Sequence, residues 1–307
     1  MLLPSVRSQA SDRKGTIVQQ RTIGSRTVSA IGLGGMPMSI EGRPDESRSI
    51  ATIHAALDAG VTLIDTADAY HLRADDVGHN EELIAQALRS YGADAAGVLV
   101  ATKGGHLRPG DGSWTQDGRP EYLKEAAKAS ARRLGVESIG LYQFHRPDPN
   151  VPYADSIGAI RDLLDDGVIQ MAGISNANVA QIDEANAILD GRLVSVQNQF
   201  SPAFRSSFPE LDHCAALGIA FLPWSPLGGI RRAGDMGRQH SAFQDIADAR
   251  GVSPQQIALA WELALAPVVI PIPGASRPQS IEDSVRAAEL FLTVDELAVL
   301  AELSQAA

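Results

Sequence analysis

The sequence predicts an α/β protein built as one (β/α)8 TIM barrel. Eight short β-rich runs alternate with longer amphipathic segments, which is typical of a parallel sheet wrapped by helices. Helix start signals lie between the runs, such as Asn80 before two glutamates and Ser253 before Pro254. The length of 307 residues and the hydrophobic content of 44% suit a single barrel of this kind.

The elements follow in a regular order. After a flexible tail at residues 1–20, residues 21–29 carry Gly24 and Ser25 between β-branched residues, which predicts a hairpin that plugs the barrel floor. Thr293 and Glu296 form a capping-box pattern that predicts an extra helix at the C-terminus. The barrel domain is therefore predicted to span residues 21–307. The eight strands are predicted at residues 30–33, 61–65, 98–103, 139–145, 169–175, 195–199, 220–224 and 268–272.

The net charge and the cysteine content indicate which kinds of binding partner and which cellular compartment to expect. The formal net charge of −11 opposes binding to nucleic acid or to an anionic membrane surface, because both reward basic patches. Cys214 is the single cysteine, and no run of 18 apolar residues or leader-like segment occurs. We expect a cytoplasmic protein with a small-molecule partner, as a monomer or a weak homo-oligomer.

Polar side chains cluster where the predicted strands end. The βα loops of a barrel converge at the C-terminal face of the sheet, where active sites are built. An inert barrel has no need of ionisable residues at these positions. The strand-end residues are Asp65, Lys103, His145, Ser175, Asn176 and Gln197, with Tyr70 five residues past Asp65.

Five strand-end motifs occur in register along the chain. In order they are Asp65-Thr-Ala-Asp-Ala-Tyr70, Ala101-Thr-Lys103-Gly-Gly, Leu141-Tyr-Gln-Phe-His145, Gly173-Ile-Ser-Asn176 and Val196-Gln197. With these motifs the chain resembles the aldo-keto reductase family from about residue 21 to its C-terminus. The resemblance implies hydride transfer between NADPH and a small carbonyl compound.

By this resemblance Asp65, Tyr70, Lys103 and His145 match the family's catalytic tetrad. Hydride addition leaves negative charge on the carbonyl oxygen, and a phenol with an unperturbed pKa of about 10 is a reluctant acid. An ammonium beside Tyr70 is expected to lower its pKa, and Asp65 would keep Lys103 charged and oriented. His145 would orient the carbonyl. Taken alone, Lys103 also fits a Schiff-base lysine.

The predicted cofactor site does not use a dinucleotide fingerprint, because the run Gly32-Leu-Gly34-Gly-Met-Pro37 lacks the third glycine. The resemblance implies instead that Ser175, Asn176 and Gln197 hold the nicotinamide carboxamide and that Trp224 stacks on the ring. It further implies that the segment with Ser225, Leu227 and Gly229 runs along the pyrophosphate, where glycine lets the backbone approach closely.

The helix that follows the eighth predicted strand resembles the 2′-phosphate site of the family. Its N-terminal N–H groups favour an anion, and Arg277 adds a guanidinium. Gly274 stands where some members have lysine, and Ser280 and Ser284 stand where Arg or Gln and Asn are often found. The cofactor residues predicted in this region are Gly274, Ser276, Arg277, Ser280, Asp283 and Ser284, with Asp283 facing the adenine.

Substrate contacts are expected from the first four βα loops. The segment from His71 to His79 contains several metal-ligand types, but its spacing matches no zinc pattern and we expect no metal. The predicted substrate contacts are Met36, Met38, His71, His106, Trp114 and Arg146.

The predicted function is NADPH-dependent reduction of a small aldehyde or ketone, with Tyr70 as the general acid. The short segment after the seventh strand and the run Pro226-Leu-Gly-Gly229 resemble the bacterial branch that includes pyridoxal reductases. The alternative is a cofactor-binding regulatory subunit with little turnover, like the channel β-subunits that share this barrel.

Overall fold

A parallel sheet of seven strands forms the centre of the molecule in the computed structural model, which describes residues 19–230 and 232–302. Most of the predicted tail, residues 1–18, lies outside the described residues. The strands of the sheet are β3 Leu33–Gly34, β4 Leu63–Asp65, β5 Leu99–Gly104, β8 Leu141–Phe144, β9 Ala172–Ser175, β10 Leu193–Gln197 and β11 Ala220–Phe221. Their order across the sheet is β11-β10-β9-β8-β5-β4-β3.

The segment at residues 268–274 closes the sheet into a barrel. The N–H of Phe221 donates to the carbonyl of Val268 at 2.9 Å on one edge, and the N–H of Gly34 donates to the carbonyl of Pro273 at 2.9 Å on the other. Pro271 and Pro273 have no N–H, so they accept from neighbouring strands without donating. The prediction of a regular eighth strand at residues 268–272 is therefore wrong in detail, because only isolated bridges form there.

Gly34 and Gly274 allow the sheet to close because they have no side chains where two backbone segments meet. A Cβ on Gly34 would lie 2.8 Å from the carbonyl oxygen of Ile272, and one on Gly274 would lie 2.7 Å from the Pro37 ring. Two backbones therefore meet at a distance that larger residues would prevent. The need for this close approach explains the glycines in the run from Gly32 to Pro37, which does not match the dinucleotide fingerprint.

Two short hairpins flank the sheet, and the first is the predicted plug. Strands β1 (Gln20–Ile23) and β2 (Arg26–Ser29) pair antiparallel. Ile23 and Val28 are fully buried in a cluster with the inner side chains of the barrel strands, such as Leu63. The hairpin therefore seals the barrel, as expected. The second hairpin, strands β6 (His106–Leu107) and β7 (Thr115–Gln116), lies in the third βα loop.

Helices surround the sheet. Ser253 caps its helix as predicted, because its Oγ accepts from the N–H of Gln256. Asn80 does not cap a helix: its buried amide donates to the carbonyl of Gly35 at 2.9 Å and ties the first two loops together. The helices are α1 Glu46–Asp58, α2 His79–Tyr91, α3 Pro120–Leu134, α4 Tyr153–Asp165, α5 Val179–Ile188, α6 Phe208–Leu217, α7 Met236–Gln239, α8 Ser241–Arg250, α9 Pro254–Leu265, α10 Pro278–Arg286 and α11 Val294–Glu302.

Helix α11 is the predicted extra helix outside the repeat. The N–H of Thr293 donates to Glu296 Oε2 at 2.6 Å, and the N–H of Glu296 donates to Thr293 Oγ1 at 3.3 Å. This reciprocal pair is the capping box that the sequence predicts. Across residues 19–230 and 232–302, no helix combines the length and apolar character that crossing a membrane requires.

Candidate active site

A cavity of about 540 Å³ opens at the C-terminal face of the sheet. It lies where the carboxyl ends of the parallel strands meet, which is the active-site position in barrels. Most of the residues predicted for catalysis, nicotinamide binding and substrate contact line it together. They are Met36, Asp65, Tyr70, His106, Trp114, His145, Arg146, Ser175, Asn176, Gln197, Trp224, Ser225, Leu227, Gly229 and Gly274.

Lys103 does not line this cavity; it is fully buried behind Asp65 and Tyr70, which do. Its Nζ donates to Asp65 Oδ2 at 2.7 Å, to the Thr66 carbonyl at 2.8 Å and to Tyr70 Oη at 3.1 Å. Strand register brings the two charges together, because Asp65 pairs with Ala101, two residues before Lys103 on β5. All three donors of the ammonium are used, so its orientation toward the phenol is set.

Burial decides the direction of the Tyr70 pKa. Loss of solvent raises the pKa of the phenol above its usual value, and the Lys103 ammonium opposes this rise without overcoming it. The expectation of a lowered Tyr70 pKa is therefore wrong, because desolvation outweighs the nearby charge. Burial is the largest influence on Lys103 and lowers its pKa, but the interactions with Asp65 and Tyr70 together outweigh it and the net shift is upward. At neutral pH the pair is a neutral phenol beside an ammonium.

Two histidines pack against each other in the cavity wall. The rings of His145 and His106 meet edge to face at 4.9 Å, and His106 stacks on Trp114 at 4.7 Å. Burial lowers the pKa of His106 to about 4, and burial together with the Lys103 charge lowers the His145 pKa well below 6.5. Both rings are therefore neutral at pH 7. His145 Nδ1 is buried without a hydrogen-bond partner among the described residues.

The end of β9 supplies a second set of polar groups. Asn176 adopts a left-handed backbone with φ of 58°, which is rare outside glycine and is often found at functional sites. Its Nδ2 donates to the carbonyl of His145 at 3.0 Å, and its Oδ1 accepts from Arg146 Nη2 at 3.1 Å. Ser175 Oγ donates to the carbonyl of Gln197 at 2.7 Å. These contacts hold the predicted carboxamide residues against the catalytic strand ends.

Gln197 has a partner that the sequence did not indicate. Its Nε2 donates to Asp65 Oδ1, so one of the two amide hydrogens is used within the protein. The Gln197 oxygen and the second amide hydrogen are left for the predicted carboxamide contact. Gln197 therefore joins the Asp65 and Lys103 network as well as the cavity wall.

Trp224 and the turn after it form the opposite wall. The N–H of Trp224 donates to the carbonyl of Asn198 at 3.0 Å, and the half-buried indole lines the cavity. Ser225 has a left-handed backbone with φ of 53°, and Gly229 follows with φ of 95°. Such a turn directs backbone groups inward, and the glycine permits close approach by a ligand.

Apart from Gly274, which lines the cavity, the predicted 2′-phosphate residues lie beyond it, just before and within α10. Arg277 is exposed, and its Nε donates to Ser280 Oγ at 2.8 Å. Ser276 is half-buried just before Arg277. Ser284 Oγ donates to the carbonyl of Ser280 at 3.0 Å, one helical turn back. Both oxygens of Asp283 accept from the first turn of α9, which competes with its predicted adenine contact.

Two predicted substrate contacts lie outside the residues that line the cavity. Met38 is fully buried in a core cluster with Leu33 and Ile53, because the 3-10 turn at Met36–Met38 sends its two methionines in different directions. His71 is 1% exposed, and its Nδ1 bonds to the Arg73 carbonyl at 2.7 Å. The expectation that Met38 and His71 contact substrate is therefore corrected.

Other residues near the site were missed. Gln116 lines the cavity opposite His106 in the β6–β7 hairpin, which no clear alternation in the sequence signals. Arg108 lies over the Trp114 ring at 4.9 Å and pairs with Glu41. Asp68, inside the first motif, is buried behind the site. In the described part of the chain, no group of three or more His, Cys, Asp or Glu residues is arranged to hold a metal.

Comparisons with known proteins agree with this fold. A model of the Aldo/keto reductase family matches residues 30–305. An uncharacterized oxidoreductase of Schizosaccharomyces pombe is 35% identical, covering 91% of this chain and 88% of the relative. Pyridoxine 4-dehydrogenase of Escherichia coli K12 is 30% identical, covering 92% and 98%. An aldo/keto reductase structure from Klebsiella pneumoniae, in complex with NADP and acetate, has a TM-score of 0.78 and 27% identity, covering 94% and 95%.

The fold and the cavity define a barrel oxidoreductase. The chain belongs to the aldo/keto reductase family.

Proposed function

We propose that this protein reduces a small aldehyde or ketone to the alcohol with NADPH, and that Tyr70 is the general acid. The observation that carries the proposal is the position of Lys103 Nζ, which is bonded to both Asp65 and Tyr70, two residues that line the cavity. This arrangement places a protonated phenol against an accessible cavity and supports the phenolate that remains after proton donation.

The residues present fit a nicotinamide dinucleotide. The half-buried indole face of Trp224 lines the cavity, and its Nε1 is buried with no partner among the described residues. Ser175, Asn176 and Gln197 would hold the carboxamide, and the turn from Ser225 to Gly229 would follow the pyrophosphate. Gly274, Ser276 and Arg277 would hold the 2′-phosphate, where a guanidinium and helix N–H groups favour an anion.

When bound, NADPH supplies the hydride that reduces the carbonyl carbon. Tyr70 gives its proton to the carbonyl oxygen as negative charge develops there. Lys103 stabilises the resulting phenolate, and Asp65 holds Lys103 in place through the 2.7 Å ion pair. Neutral His145 orients the carbonyl by hydrogen bonding to the same oxygen. A proton from solvent restores Tyr70 after the alcohol leaves.

The test is steady-state oxidation of NADPH with a panel of carbonyl compounds. The panel includes pyridoxal, because the Escherichia coli relative is named a pyridoxine 4-dehydrogenase. It also includes benzaldehyde, butanal and an aldose. Turnover in the ordinary enzymatic range, about 1 to 10³ per second, supports the proposal. Tight NADPH binding with negligible turnover on every compound would favour the regulatory-subunit alternative instead.

A further inference from the structure

Arg146 brings a positive charge to the cavity without a carboxylate partner. The residue follows His145 directly and lines the same cavity. Its Nη2 donates to Asn176 Oδ1 at 3.1 Å, and its Nε is buried with no acceptor in the part of the chain that the structure describes. Within residues 19–230 and 232–302, no Asp or Glu lies within ion-pair distance of Arg146.

Two other cations close to Tyr70 and Trp114 are paired with carboxylates in the described part of the chain. Lys103 pairs with Asp65, and Arg108 pairs with Glu41. Asp65 is the single acidic residue among those that line the cavity, and its charge is already used by Lys103. The cavity wall therefore carries one uncompensated positive charge, although the chain as a whole has a net charge of −11.

The positive charge of half-buried Arg146 affects two nearby histidines. It adds to the burial that lowers the pKa values of His106 and His145. A partly desolvated guanidinium with an unused donor is costly unless a ligand supplies acceptors. Water satisfies such a donor less well than an anion does, because charge-assisted pairs to carboxylate or phosphate are about twice as strong.

The cofactor is a poor candidate for that anion. The segments proposed for its phosphates are the turn at residues 225–229 and the start of α10, whereas Arg146 follows β8 beside the proposed proton donor and carbonyl-orienting residue. The nicotinamide carboxamide is neutral and would leave the charge uncompensated. The substrate is the remaining ligand that reaches this part of the cavity.

We propose that Arg146 selects carbonyl substrates that carry an anionic group, with a carboxylate as the favoured form. The inference rests on the proposed reductase function. The aldehyde oxygen lies between Tyr70 and His145, while the anion binds the neighbouring guanidinium. The stacked rings of His106 and Trp114 line the same cavity, so they provide a flat apolar surface for an aromatic or short aliphatic body between the two groups.

Matched substrate pairs test the proposal. The first pair is 4-carboxybenzaldehyde and its methyl ester, which differ in charge but share a benzaldehyde body. The second is pyridoxal 5′-phosphate and pyridoxal, which distinguishes a phosphate from a carboxylate preference. We expect a higher kcat/KM for the charged member of the first pair, and a decline of that preference as salt screens the charge.

Substitutions of Arg146 then separate recognition from positioning. Arg146→Gln should reduce the acid-to-ester ratio of kcat/KM on the order of 10- to 150-fold, as expected for a lost charge-assisted hydrogen bond. Arg146→Lys should retain part of the preference. The matched control is Arg43→Gln, which removes a half-buried guanidinium already paired with Asp76 and should leave the ratio near the parent value.

Three outcomes would overturn the inference: equal kcat/KM for acid and ester in the parent, a preference confined to the phosphate pair, or equal losses on both members in Arg146→Gln. The last would show that Arg146 only positions Asn176.

A parent that reduces no carbonyl compound would contradict the proposed function instead. The anion site is then judged by titrating the NADP complex with benzoate and benzamide: binding of benzoate alone, abolished in Arg146→Gln, supports the site, and any other result overturns it.

Discussion

Gln197 Nε2 lies 2.8 Å from Asp65 Oδ1, across the barrel interior from β10 to β4. Three strands lie between β10 and β4 in the sheet, so the hydrogen bond between Gln197 and Asp65 spans the cavity floor. With Lys103 on Oδ2, both oxygens of the carboxylate are occupied. Gln197 therefore fixes the orientation of Asp65, and through it the ammonium that touches Tyr70.

This relationship predicts that Gln197→Leu lowers kcat in addition to weakening cofactor binding. The variant leaves a buried carboxylate oxygen unpaired, which costs about 1 to 3 kcal/mol and loosens the Asp65 and Lys103 pair. We expect kcat to fall on the order of 10-fold, since about 1.4 kcal/mol corresponds to a factor of ten. Single-turnover rates and NADPH dissociation constants measure the two effects separately. A change in the dissociation constant alone would restrict Gln197 to cofactor binding.

Tyr70→Phe should lower kcat on the order of 10²-fold or more, because it removes the donated proton and keeps the ring. NADPH affinity should change little. Tyr142→Phe is the matched control, since Tyr142 is buried away from the cavity and its hydroxyl bonds only to the Leu123 carbonyl among the described contacts. The measurement is kcat with one good aldehyde. Near-normal turnover by the Tyr70 variant would remove Tyr70 from the mechanism.

Trp224 should dominate the fluorescence change on NADP binding, because its indole lines the cavity. Trp261 is the internal contrast, being 2% exposed and stacked on Phe200 at 5.7 Å. Trp224→Tyr should keep an aromatic face and most activity, whereas Trp224→Ala should weaken binding by about 1 to 3 kcal/mol, the range for base–aromatic stacking. NADP titrations of the three proteins check this. Unchanged quenching and affinity in the Ala variant would assign the indole to packing.

Arg277→Ala should reduce the preference for NADPH over NADH by roughly 10- to 150-fold, the effect of losing a charged hydrogen bond to the 2′-phosphate. The ratio of kcat/KM values for the two cofactors is the measurement. Arg286→Ala, in the last turn of the same helix, is the control for a general change in charge. An unchanged ratio in Arg277→Ala would show that the phosphate binds elsewhere.

Asp68 should make stability depend on pH. Burial raises its pKa to about 8, the charge of Glu81 adds to the rise, and Oδ1 has no hydrogen-bond partner among the described residues. The folded state therefore keeps a proton that the unfolded state releases near pH 4. The stabilisation is complete below that pH and is lost as pH rises toward 8, by at most about 1.4 kcal/mol per pH unit.

Asp68→Asn should flatten this dependence and gain stability relative to the parent at pH 8. Urea unfolding at pH 5 and pH 8 gives the two free energies for each protein. Asp75→Asn is the control, because the Asp75 side chain is largely exposed. If the parent and Asp68→Asn lose the same stability between the two pH values, Asp68 is ionised in the folded state.

Local sequence patterns are enough to predict most of the helices and strands and the kinds of residue at the strand ends. Local rules carry these inferences: alternating strands and helices predict a parallel sheet, and Thr293 with Glu296 predicts a helix start. Because the carboxyl ends of the parallel strands lie at one face of the barrel, the sequence also predicts that Asp65, Tyr70 and His145 lie together there. The cavity that these residues line follows from the order of motifs in the chain.

The tertiary structure alone decided which groups are paired and which are desolvated. Met36 lines the cavity and Met38 fills the core although they are two residues apart, and Gln197 reaches Asp65 from 132 residues away. Burial sets the direction of the Tyr70 pKa against the pull of Lys103. These properties depend on the solvent and partners around each side chain, which long-range packing brings together and sequence spacing does not record.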